Sequence, residues 1–136
     1  MAAPPVDRRL LRSRARCILR ELNHARSELS IALVDDETIA ALNGTYRGQP
    51  RPTDVLSFSL LEGDHTAHRG ALLGDVVIGV ETAARQARSA RRAIDDEVAR
   101  LLIHGVLHLL GHDHVRCDEA RAMRREERRL LRAIRT

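Results

Sequence analysis

Between residues 7 and 24 the apolar positions Leu10, Leu11, Cys17, Ile18 and Leu22 fall on one helical face, and arginine fills the others. Pro4 and Pro5 keep residues 1–6 in a short loop ahead of that helix. Residues 30–34 (SIALV) are apolar and β-branched enough for a short strand, and Asp35–Asp36 then supply a turn and a helix cap. Ile39, Leu42 and neighbouring alanines predict a short second helix ending near Asn43–Gly44. Two prolines and a glycine make residues 46–53 a loop. Residues 55–61 and 71–80 (ALLGDVVIGV) read as strands, joined by a polar connection over 62–70 and simplest as antiparallel neighbours.

Three helices follow. Residues 81–92 are amphipathic and arginine-rich. Residues 94–110 are the most apolar stretch of the chain, with Asp95, Asp96 and Glu97 in the first turn, where the helix dipole favours acids, and Gly111 as the natural stop. Residues 117–134 carry the stripe Ala120, Met123, Leu130, Leu131 and Ile134. The predicted class is α+β: a small mixed sheet of three to four strands covered by about five helices, in one domain spanning residues 1–136.

Composition narrows the function. One Tyr, one Phe and no Trp leave a core of Leu, Val, Ile and Ala, and argue against the aromatic base-stacking platforms of RRM or OB modules. All 23 basic residues are arginine. Residues 1–26 carry a net charge of +5, residues 27–115 of −5, and residues 116–136 of +4. Basic flanks around an acidic middle suit a polyanion partner, although a habit of writing arginine for every surface cation gives the same pattern. Cys17 and Cys117 fit no CxxC spacing and suit a reducing compartment. With no apolar signal region at the start and no run of 18 apolar residues, a cytoplasmic protein without a membrane span is expected.

The chemistry concentrates in residues 101–114, LLIHGVLHLLGHDH. His104 and His108, four apart, project from one helix face among aliphatic neighbours. A lone histidine in such a setting is ordinarily bonded to a carbonyl; two, followed by a glycine turn and His114, suit one metal ion with an open coordination position. Zinc, one ion per chain, is the expected cofactor, held by His104, His108 and His114. Asp113 either supports a ligand ring or caps the turn. His112 lies in the turn, and His24, His65 and His68 are expected in solvent. Cys117 is expected to be a buried free thiol rather than a fourth ligand.

The spacing H-x-x-x-H-x-x-G-x-x-H is that of the metzincin zinc helix. Metzincins place a glutamate directly after the first histidine as general base, and here that position is Gly105. A zinc peptidase using another base is therefore the weaker alternative, since general-base catalysis contributes about 10²–10⁴-fold.

HGVLHLLGHDH (residues 104–114) resembles the signature of the YbeY endoribonuclease family, H-G-x-L-H-L-x-G-[HY]-D-H. Residues 46–58 (YRGQPRPTDVLSF), 72–78 (LLGDVVI) and 27–43 resemble further family segments in the same order. The resemblance implies a metal-dependent endonuclease specific for single-stranded RNA. Its implied role is in ribosomal RNA maturation (the 16S rRNA 3′ end) and ribosome quality control, with the small ribosomal subunit as partner and no DNA substrate. It implies zinc on the three histidines and a functional arginine at Arg47. Gln49–Pro50 stand where the family usually has Lys-Asp, and Ser59 where proline is common. The family also opens with a strand that residues 1–6 are too short to supply, so the sheet is expected to lack an edge strand or the start to lie upstream. Arg47 is expected to hold the scissile phosphate, because guanidinium binds phosphate bidentately and keeps its charge. Thr53, Asp54 and Ser57 either order that loop or cap the strand. The general base is unassigned. A non-catalytic ribosome-binding protein with a structural zinc is the remaining alternative.

Overall fold

The computed structural model describes residues 5–59, 72–112 and 117–135. In chain order these form α1 (Arg8–Glu21), β1 (Glu28–Val34), α2 (Asp36–Arg47), β2 (Val55–Ser59), β3 (Leu72–Gly79), α3 (Val80–Ala90), α4 (Ile94–Leu109) and α5 (Cys117–Ile134). The α+β class holds, with five helices and a three-stranded mixed sheet among the described residues. The extra strand before α1 is not present among them.

The sheet order is β1-β3-β2. β3 runs parallel to β1, with Ile31 opposite Val76, and antiparallel to β2, from Val55 opposite Ile78 to Ser59 opposite Gly74. A central strand covered on both faces needs apolar residues throughout. Val76 and Ile78 accordingly enter the main core with Ile18 of α1, Leu102 and Val106 of α4 and Leu130 of α5. Val77 packs on the other face with Leu56 and Ile39 of α2. β2 is an edge strand, and its outer side opens the cleft described below.

Two helices begin on aspartate caps: the Asp7 carboxylate accepts from the Leu10 N–H at 3.1 Å and the Asp35 carboxylate from the Thr38 N–H at 2.8 Å. The predicted end of α2 at Asn43–Gly44 is corrected, because the helix continues to Arg47 and stops at Gly48, whose φ of 68° provides the left-handed cap. Gly44 serves close packing instead: a Cβ there would lie 3.0 Å from the Pro50 Cβ. The stop expected at Gly111 is present, at φ 93° directly after the Leu110 cap. Cys117 is exposed rather than buried, because α5 starts at the surface. No described helix is long and apolar enough to cross a membrane.

Candidate functional site

α4 carries the two histidines on a rigid support. It packs on β2, β3 and three other helices. Gly105, directly after His104, is what lets it approach the sheet: a Cβ there would stand 2.8 Å from a Val76 methyl and 3.0 Å from the Ser57 hydroxyl. The Ser57 hydroxyl donates to the Gly105 carbonyl at 2.9 Å, and that of Ser59 to the Leu109 carbonyl at 3.4 Å. The edge strand thus ties down the helix face that bears the histidines. Ser57, expected to order the Arg47 loop or cap the strand, does neither and anchors α4. The tight Gly105 contact also explains the missing glutamate physically, since any side chain there would press on the Val76 methyls and the Ser57 hydroxyl.

His104 and His108 are half-buried, their ring centroids 4.6 Å apart and their planes at 68°. The two Nε2 atoms converge to 3.1 Å. Two nitrogens on one tetrahedral zinc, at Zn–N distances of about 2.0–2.1 Å, lie about 3.3 Å apart, so the pair fits a common cation. The third expected ligand, His114, and its neighbour Asp113 lie outside the described residues, as do His65 and His68. Among the described residues, no group of three His, Cys, Asp or Glu is placed to hold a metal ion. His112 is half-buried in the turn, its backbone N–H donating to the Leu107 carbonyl at 3.0 Å. His24 is also half-buried, with Nδ1 at 3.1 Å from the Ser27 hydroxyl.

Arg47 was expected in a loop; the longer α2 makes it the last helical residue, exposed. It still reaches the same place. A cleft of about 500 Å³ along β2 is lined by Arg47, Asn43, Thr53, Asp54, Ser57, His104 and His108. The segment from Gly48 to Asp54, which closes one wall, is held from two sides. Asn43, buried inside α2, donates through Nδ2 to the Arg51 carbonyl at 3.0 Å, and its own carbonyl accepts from the Gln49 N–H at 3.2 Å. The Asp54 carboxylate accepts from the Val55 N–H at 2.8 Å and from Gln86 Nε2 of α3 at 3.2 Å. Asp54 therefore both caps the strand and ties the loop to a helix. Sequence reasoning passed over Asn43 and Gln86. An amide inside a helix, where its side chain competes with the backbone for hydrogen bonds, was the available signal for Asn43.

A second cleft of about 540 Å³ lies on the other side of His104, bordered by Asp54, Arg85, Gln86, Arg92 and Arg100. Its cations are paired: Arg85 meets Asp36 at 3.0 Å, and Arg92 and Arg100 meet the buried Glu97 at 2.8 and 3.4 Å. Among the described residues lining the two clefts, Arg47 is the exposed arginine that shares a cleft with both histidines.

The family model for Endoribonuclease YbeY matches residues 6–135. A relative with that name from Anaeromyxobacter sp. (strain Fw109-5) is 53% identical, over 92% of this chain and 64% of its own. One from Myxococcus xanthus is 46% identical, over 90% of this chain and 42% of its own. A third, from Syntrophus aciditrophicus, is 39% identical, over 93% and 80%. The chain thus spans less than two thirds of the length of the first of these curated relatives. In three dimensions it is similar to the solution structure of TM1509 from Thermotoga maritima, with a TM-score of 0.67, 25% identity, and coverage of 97% of this chain and 85% of that one. These matches run through both walls of the cleft and nearly the whole fold, and on them the chain belongs to the Endoribonuclease YbeY family.

Proposed function

We propose that residues 1–136 act as one zinc-dependent endoribonuclease domain, specific for single-stranded RNA. Its proposed role is in 16S rRNA 3′-end maturation and ribosome quality control, at the small ribosomal subunit in the cytoplasm. One observation carries this reading: Arg47 shares a cleft with two imidazoles whose Nε2 atoms converge to 3.1 Å.

His104, His108 and His114 would hold the zinc ion. When bound, zinc supplies Lewis acidity to a phosphoryl oxygen and lowers the pKa of water. The protein's own work is positioning and charge. Arg47 grips a phosphate through paired N–H donors and stabilises the negative charge that builds on it during cleavage. Ser57 and Gly105 fix the helix that orients the rings, and Asp113 would support a ligand ring. Asn43 and Asp54 hold the loop beside Arg47, so the cleft wall is set before RNA arrives.

Zinc-loaded protein, with a chelated control, is incubated with structured and unstructured RNA. Cleavage of the unstructured RNA that disappears on chelation supports the reading. Cleavage of casein and not RNA, or zinc-loaded protein that cuts neither, overturns it.

A further inference from the structure

Tyr46 is the one large hydrophobic residue left exposed among the described residues, at 65%. It is also the only tyrosine of a chain whose single other large aromatic is Phe58. These two rings meet: their centroids are 5.1 Å apart and their planes cross at 67°, an edge-to-face contact. Whichever ring offers its edge, at least one face of Tyr46 is not covered by Phe58, as its exposure requires. The contact steadies the ring without burying it. Tyr46 directly precedes Arg47, a residue of the cleft wall, in the last turn of α2, and Phe58 packs with Ile39 of α2 on the face of β2 opposite Ser57, so the ring stands one residue along the helix from the cleft lining. A chain that spends its few aromatics this way has placed a flat apolar surface next to its phosphate-binding cation.

We propose that Tyr46 is a nucleobase subsite: one unpaired base of the RNA stacks on its open face while an adjoining phosphate sits at Arg47. This rests on the RNA reading given above and adds a source for its strand preference. In a duplex both faces of a base are occupied by its neighbours, so Tyr46 can take a base only by unstacking it. A single strand offers the base freely. Stacking tolerates any base, because every base has a π-face. Tyr46 is thus a binding and specificity contact, with the charge chemistry left to Arg47.

The chain has one Tyr and no Trp, so its tyrosine emission reports on Tyr46 alone. The whole metal-containing protein is mixed rapidly with a single-stranded oligonucleotide, and emission is read before cleavage. Saturable quenching is expected with single strands and little with a duplex. In steady state, Tyr46→Ala and Tyr46→Leu should raise KM for single-stranded RNA about tenfold, within the range measured for base–aromatic stacking, with kcat within about twofold. Tyr46→Phe should keep the wild-type KM. Leu preserves an apolar contact for Phe58, so a Leu variant with an unchanged melting temperature separates lost stacking from lost folding. A wild-type KM in Tyr46→Leu, or unchanged emission at saturating single strand, overturns the subsite. Failure of the nuclease reading looks different: quenching by single strands occurs, supporting the subsite, while no RNA is cut.

Discussion

His104 and His108 rise from a helix packed on the sheet and on three other helices, whereas Arg47 hangs from the exposed last turn of α2. The histidine side is made stiff by close contacts, such as that at Gly105, where a side chain would press on the Val76 methyls. The arginine side is made by caps and loop hydrogen bonds: Asp35 at one end of α2, Gly48 at the other, and Asn43 reaching across to Arg51. The contrast suits the two tasks proposed for them. Metal ligands must be held close to their final geometry before the ion binds. A phosphate-binding guanidinium has long reach and planar donors, and it tolerates a mobile stem.

The largest effect is expected on the stiff side. His108→Ala should abolish zinc binding in elemental analysis and reduce RNA cleavage to background, and a full zinc content would remove His108 from the site. Next, Arg47→Glu should keep the zinc and the melting temperature while cleavage falls about 10²–10³-fold, the size of a lost charge-stabilising donor. Retained cleavage would take Arg47 out of the mechanism. Third, Gly105→Val should destabilise the fold by about 1–3 kcal/mol through overpacking against Val76 and weaken zinc binding with it. A denaturation midpoint equal to wild type would mean that the helix is not held as tightly as the contrast requires. The smallest effect belongs to the cap on the arginine side. The Thr38 hydroxyl and then the Thr38 N–H hold the Asp35 carboxyl below its ordinary 3.8, against a small opposing effect of desolvation. A carboxyl favoured as the anion in the folded chain stabilises it above pH 3.8 and loses that contribution as pH falls through the lower folded value. Asp35→Asn should therefore flatten the acid limb of the stability profile slightly, and an identical profile would show that the cap carries no charge linkage.

What could be read from the chain follows the same division. α4 and α5 were legible almost to the residue, because their apolar stripes are long and bounded by Asp95, Gly111 and Cys117. The histidine pair was legible because i,i+4 spacing on a helix fixes a shared face. The end of α2 was not: Gly44 looked like a stop, and only its contact with Pro50, distant in local geometry though six residues away, shows it to be a packing residue. The parallel pairing of β1 with β3 is equally non-local. So is the true partner of Ser57, a helix carbonyl 48 residues further along the chain. The exposed Tyr46 was invisible for a related reason, since a single aromatic in a sequence carries no sign of whether its face is covered.

The most direct test of the shared cleft is a crystal structure of zinc-loaded protein with anomalous data at the zinc edge. The account predicts one peak within about 2.0–2.1 Å of the Nε2 atoms of His104 and His108 and of a ring nitrogen of His114, with Arg47 facing it across the cleft. Rings splayed apart without a peak between them, or a peak bound elsewhere on the chain, would contradict it.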